Sequence, residues 1–260
     1  MPILCRGEKS MYEFVKMRVE FQPNAWKSFG NMFENQYDML EYYLSTMWKN
    51  GQIERDYNVV RCGDGYDVYC TVFDVGLLEA KHNNKYTDKV YRHMNVDYSV
   101  IGVNANYYQD CVCQDSSWYL LSADIDSYDG ESPLICGDCG FNVHISQTPY
   151  LFGEEEHMTL ISYSQLYAAV DVVWVETLSD RYSKNQMTNV NSPLVQRGLE
   201  IRQELEDKMK KPVYLFVRNP IGEVGKKAKA EKPLTVCPSC GQKLSPSMNT
   251  ALCGGMCHSC

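Results

Sequence analysis

Eight of the twelve cysteines fall in close pairs, and that spacing constrains the chain more than any other feature. Cys237-Pro238-Ser239-Cys240 and Cys257-His258-Ser259-Cys260 are separated by sixteen residues, the spacing of a four-thiolate zinc ribbon. Two residues between cysteines let a tight turn aim both sulfurs at one point about 2.3 Å away. Gly241 then eases the backbone as it turns back. A second cluster lies upstream, Cys111-Val112-Cys113 and Cys136-Gly137-Asp138-Cys139. The sequence therefore predicts two structural zinc ions, one on Cys111, Cys113, Cys136 and Cys139, the other on Cys237, Cys240, Cys257 and Cys260. The bland reading of the upstream four is buried thiols. In the terminal site Cys253 or His258 is an alternative ligand to Cys260 or Cys257, because a ligand at the last residue is prone to fray.

Cysteine pairs mean metal more often than disulfide only where thiols stay reduced. The segment Met1-Pro2-Ile3-Leu4-Cys5-Arg6 lacks an apolar signal core, and no run of eighteen apolar residues follows. The expectation is a cytoplasmic protein with no membrane segment. Cys5, Cys62 and Cys70 lie in or near expected strands and read as small core residues.

The order of elements predicts an α+β chain. Val15, Met17, Val19 and Phe21 alternate with Lys16, Arg18 and Glu20, as a half-buried strand requires. Phe33, Tyr37, Leu40, Tyr43, Leu44, Met47 and Trp48 follow a helical period that Asn50-Gly51 ends. Strands at Tyr57–Arg61 and Tyr66–Phe73 flank the hairpin turn Gly63-Asp64-Gly65. Tyr86, Val90 and Met94 mark a second helix, and Val96–Val103 a fourth strand. The resulting β-α-β-β-α-β order predicts a ferredoxin-like unit over residues 1–108.

A central region, 109–221, is expected to hold a metal-stitched β-ribbon with helices. Ser117–Ile125 reads as a strand. From Leu160, Tyr163, Leu166, Tyr167, Val170 and Trp174 fit a helix, although Val172–Val175 fits a strand as well. Asn191-Ser192-Pro193 opens another helix, with Leu194, Ile201, Leu205 and Met209 on its apolar face. Pro212 stops it before a strand at Val213–Val217. Gly222–Pro233 reads as a flexible linker, so 222–260 forms a third region, a zinc ribbon on that linker.

The stretch from Cys111 onward resembles a bacterial domain-of-unknown-function family described as Zn-ribbon-containing, candidate nucleic-acid-binding proteins. The matching pieces are Cys111-x-Cys113-x-x-Ser116-Ser117-x-Tyr119-Leu120, Glu131-Ser132-Pro133-Leu134-x-Cys136-Gly137-Asp138-Cys139, the Ser192-Pro193-Leu194 to Gly198 helix start, Pro212-Val213-Tyr214 and Cys237-Pro238-x-Cys240-Gly241. Together they span about 150 residues in the family's order. The resemblance implies zinc binding in a soluble bacterial protein. The chain departs from it at Phe141-Asn142-Val143-His144-Ile145, where members run into a Val-Pro-Leu-Tyr-like stretch, and in ending on Cys260 where members continue.

Charge divides the chain. From Lys208 onward nine basic residues face two acidic ones, formally +7, which leaves −15 on the first 207 residues of a chain whose total is −8. An acidic body excludes coating by nucleic acid over the whole surface. A basic tail permits nucleic-acid binding through Lys226, Lys227, Lys229, Lys232 and Lys243; a solvated linker is the bland reading. Catalytic motifs are not visible: there is no His-Glu-x-x-His, phosphate-binding loop or Gly-x-Ser-x-Gly. Asp124, Asp126 and Asp129-Gly130 resemble a calcium loop, but Tyr128 occupies a ligand position, so a polar turn is expected. Glu154-Glu155-Glu156-His157 reads as a solvated helix start. The expected function is non-enzymatic. Either the basic tail binds nucleic acid, or an acidic, tyrosine-rich body docks a protein partner, for example as an immunity-type protein neutralising a toxin.

Overall fold

The computed structural model of the chain describes residues 12–103, 110–113, 115–123, 132–176 and 178–217, together with 243, 245–246 and 255–256. The described residues are mixed α+β and divide into two compact units. One is built on residues within 12–112 and 143–161, the other on 113–142 and the described residues from 162 onward.

The first unit runs β1 (Glu13–Phe21), α1 (Gln36–Lys49), β2 (Tyr57–Cys62), β3 (Gly65–Val72), α2 (Lys85–Tyr91) and β4 (Met94–Val103). Its sheet has the order β2-β3-β1-β4, and every neighbouring pair is antiparallel. Alternation in β1 puts Val15, Met17 and Val19 on the core side with no exposed surface, opposite Cys70, Val68 and Tyr66 of β3. Met39, Leu40, Tyr43, Leu44 and Met47 form the face that α1 packs into that same cluster, and Val90 does so for α2. Asn35 caps α1 by accepting from the backbone of Tyr37 (2.8 Å) and Asp38 (3.2 Å); Asn84 does the same for α2.

Gly51, just past α1, has φ +73°, and a Cβ there would lie 2.7 Å from Ile145 Cγ2 and 2.9 Å from Ser146 N. Only glycine tolerates both the left-handed backbone and this approach. The hairpin between β2 and β3 turns on Gly63 at φ +58°, the glycine-first form of a two-residue loop.

Around the second unit's three-stranded sheet, β5 (Tyr119–Leu121) lies between β6 (Leu134–Cys136), antiparallel, and β7 (Val213–Leu215), parallel. The remaining helices are α3 (Met158–Val175), α4 (Asp180–Thr188) and α5 (Pro193–Met209). Ser192 caps α5, its Oγ accepting from Val195 N at 3.3 Å, with Pro193 in the first turn. A Cβ on Gly198 would meet Tyr163 Oη at 2.7 Å and Leu215 Cδ1 at 2.9 Å, so the helix comes this close because it has none. A two-residue antiparallel pair, β8 (Ser245–Pro246) with β9 (Gly255–Met256), completes the described elements.

Several expectations are corrected. Phe33 is buried but precedes α1, and Met94 opens β4 instead of closing α2. Residues 172–175 are helical, while Leu166, expected on the apolar face of α3, is half exposed. Apolar residues surround α3, so period alone does not choose its buried side. It is the one described helix with the length and hydropathy of a membrane span, and half of it is buried inside the protein. Cys70 is buried as expected, whereas Cys62, at the outer end of edge strand β2, is exposed. The linker, Cys5 and the Asp124–Gly130 turn lie outside the described residues.

His157 is the sharpest departure: it is 4% exposed, not solvated. Its Nδ1 lies 3.2 Å from Thr148 Oγ1 and its ring 4.7 Å from that of Tyr150. Burial, helped by the nearby His144, lowers its pKa from its ordinary 6.5 to about 4. The unfolded chain therefore takes up this proton first. The stability held by neutral His157 is complete above about pH 6.5 and is lost as the pH falls through about 4. Denaturant unfolding of the wild type and of His157→Gln across that window should show the wild type losing on the order of 3 kcal/mol more than the variant.

Candidate metal centre

Short strands and one tight turn bring the upstream cysteines together. Cys136 ends β6, and the chain then turns through Gly137, Asp138 and Cys139. Gly140, at φ +79°, closes the turn by donating its N–H to the Cys136 carbonyl at 2.9 Å. The Cys136 N–H donates to Phe141 O, also at 2.9 Å, so the backbone folds back on itself. Cys111 and Cys113 are the opposite arm, just ahead of β5.

The sulfurs of Cys111, Cys113, Cys136 and Cys139 all lie within 4.8 Å of one another. Four sulfurs 2.3 Å from a tetrahedral ion would be separated by about 3.8 Å, so the cluster is close to the dimensions a metal requires. Its donors are soft thiols, which suit zinc and related ions and not magnesium or calcium. Cys111 (2% exposed) and Cys136 (0%) form the buried side, with Cys113 and Cys139 half-buried. The residues present therefore fit a metal ion, and four sulfurs leave no open coordination position.

Three neighbours that the cysteine pattern does not reveal hold the turn in place. Ser116 Oγ shares a hydrogen bond of 2.9 Å with Cys136 Sγ. Asp138, inside the Cys-x-x-Cys, accepts from Ser117 N at 2.7 Å, which ties the turn to the segment just ahead of β5. Gly137 N–H donates to Trp118 O at 2.9 Å, and the Trp118 ring covers the glycine so closely that a Cβ would lie 2.1 Å from it. The ring also meets Tyr214 of β7 edge-on, at 5.6 Å. Asp138 was visible in the sequence as a polar residue in the turn; the pairing of Trp118 with Gly137 joins residues nineteen apart and leaves no local signal.

The remaining expected site residues are placed less completely. Cys237, Cys240, Cys257 and Cys260, the alternatives Cys253 and His258, and Lys226, Lys227, Lys229 and Lys232 lie outside the described residues. Lys243 is exposed. In sequence, β8 and β9 both fall between the two terminal cysteine pairs, and their register sets Ser245 against Met256.

A second polar group lies away from the cysteines. His144 is 5% exposed, with Nε2 3.0 Å from Glu54 Oε1 and Nδ1 2.6 Å from Ser146 Oγ. Its ring stacks on Phe73 at 4.4 Å. Ser146 N also donates to Nδ1, so His144 caps the short turn Ile145–Gln147, and this arrangement is accounted for as local structure.

The family model described as "Domain of unknown function (DUF2310)" matches residues 113–218, about two fifths of the chain. No curated protein and no solved structure matches the chain. The matched stretch contains three of the four clustered cysteines and all of β5, β6, α3, α4, α5 and β7.

The contact between Trp118 and Gly137 is directly testable. Gly137→Ala forces the indole off the turn, and overpacking of this kind should cost about 1–3 kcal/mol. Denaturant unfolding with tryptophan fluorescence should detect it, whereas Gly102→Ala, where a Cβ meets nothing within 4 Å, should change stability far less.

Proposed function

We propose that this chain is a non-enzymatic, cytoplasmic zinc protein that binds nucleic acid through its basic C-terminal segment. The observation that carries the metal part is the set of four sulfurs within 4.8 Å. On this reading Cys111, Cys113, Cys136 and Cys139 hold one structural zinc, and Cys237, Cys240, Cys257 and Cys260 hold a second. A closed four-thiolate shell supplies folding energy and rigidity but offers no position for a substrate. We read the first unit as ferredoxin-like, since its element order and its β2-β3-β1-β4 strand order are those of the split βαββαβ arrangement.

Nucleic acid is the preferred partner because the charge is unevenly distributed. Lys226, Lys227, Lys229, Lys232 and Lys243 belong to a tail that is formally +7 beside a body at −15. A metallated tetrathiolate carries 2−, so the tail keeps about +5. The tail has no aromatic residue after Phe216, which favours backbone contact over base stacking.

A second reading, docking of a protein partner such as a basic toxin, is supported by edge strand β4. Tyr98, Val100, Ile101 and Val103 are each 39–52% exposed, on a strand whose outer side pairs with no other strand among the described residues.

Salt separates the two. If the five lysines neutralise phosphates, affinity for duplex DNA should fall by about two to three orders of magnitude between 50 and 200 mM salt. Replacing all five with glutamine should remove most of that slope in a fluorescence-anisotropy titration. Binding that ignores salt, or no binding at low salt, contradicts the nucleic-acid reading.

A further inference from the structure

The four clustered sulfurs differ in how far solvent reaches them. Cys111 and Cys136 are buried, and Cys136 also shares the hydrogen bond with Ser116 Oγ. Cys113 and Cys139 are half-buried, one on each arm of the cluster. Oxidants attack sulfur from solvent, so reactivity follows exposure and thiolate character together. A bound divalent ion supplies the thiolate character for all four, and exposure then selects two.

We propose that Cys113 and Cys139 are an oxidation site: a peroxide converts this pair into a disulfide and thereby releases the metal. The inference rests on the zinc reading above. One of the two sulfurs attacks a peroxide oxygen; the O–O bond breaks, water leaves after protonation, and a sulfenic acid remains. The other sulfur attacks that sulfenic sulfur, forming the S–S bond and releasing the second water. Two thiolates, one hydrogen peroxide and two protons thus give one disulfide and two waters. The two sulfurs are oxidised by two electrons in all, and the peroxide is reduced.

The geometry supports this pairing over its competitors. The two sulfurs begin within 4.8 Å, so they must close by less than about 3 Å to reach the 2.05 Å of a disulfide. Cys139 lies in the turn ahead of Gly140, whose φ of +79° marks backbone that adjusts without a side-chain clash. Bridging Cys136 to Cys139 would instead require the fully buried sulfur to leave Ser116. Once Cys113 and Cys139 are joined, only Cys111 and Cys136 remain as donors, too few for a four-coordinate site. Dithiol reductants reverse the bridge, which makes the site a switch and not a lesion.

The test uses the full chain carrying Cys62→Ser, which removes the exposed thiol on β2, and Cys240→Ser, which confines the metal signal to the central cluster. Metal content is measured first; the protein is then treated with limiting hydrogen peroxide. Released metal is followed with a chromophoric chelator, and bridges are mapped by mass spectrometry of digests. The expected result is a peptide linking Cys113 to Cys139, one metal released per bridge, and rebinding after dithiothreitol. Cys70, buried and with its thiol pushed up to about 12, should stay reduced in the same digests. A Cys136–Cys139 bridge overturns the proposal, as does metal release without any Cys113–Cys139 bridge or retention of metal under peroxide. Protein that carries no metal before treatment instead refutes the zinc reading, while the digests still report which sulfurs pair.

Discussion

Four sulfurs held within 4.8 Å are the constraint around which Ser116, Trp118 and the turn after β6 are arranged. As thiolates they would repel one another strongly in so small a volume, and a divalent cation at the centre turns that repulsion into attraction. The local backbone is consistent with such a centre. A strand three residues long delivers Cys136, glycines stand where the turn needs no side chain, and Trp118 lies flush on the turn. Ser116 and Asp138 fix the two arms to each other through one side chain apiece. These supports resemble the second layer that orients ligands in metal proteins, where hydrogen bonds to the donors matter nearly as much as the donors themselves.

The first unit is held by different forces. Its sheet buries one face under α1 and α2 through aliphatic, thioether and aromatic side chains. Several of its buried polar groups are paired: His144 with Glu54 and Ser146, His157 with Thr148, and Asn84 with the backbone of α2 and of Glu155. Neutral imidazole at His157 is part of that pairing, which links the unit's stability to mildly acidic pH.

How much of this was legible in the sequence depended on how long each pattern runs. The nine residues of β1 and the fourteen of α1 repeat their apolar period often enough to be read directly, and capping residues mark the ends of α5. The three-residue strands β5, β6 and β7 contain too little period for their limits to be read. In α3 apolar side chains lie on every side of the helix, so Leu166 and Val172 could not be distinguished from buried neighbours before the packing was known. Charge next to His157 suggested solvent, yet Thr148 and Tyr150 enclose it. In the cluster, cysteine spacing named the sulfurs, but it could not show which two are half-exposed or that an indole covers Gly137, because both depend on residues distant along the chain. The uneven charge of the tail was visible from composition alone and gains no structural detail, since of the five lysines only Lys243 is described.

Zinc-edge X-ray absorption reads the ligands at the central cluster, on the chain carrying Cys237→Ser and Cys240→Ser and purified without added metal. The expected result is about one zinc per chain, surrounded by four sulfurs at about 2.3 Å. Folded protein without metal, or zinc with nitrogen or oxygen in place of any of the four sulfurs, would contradict it.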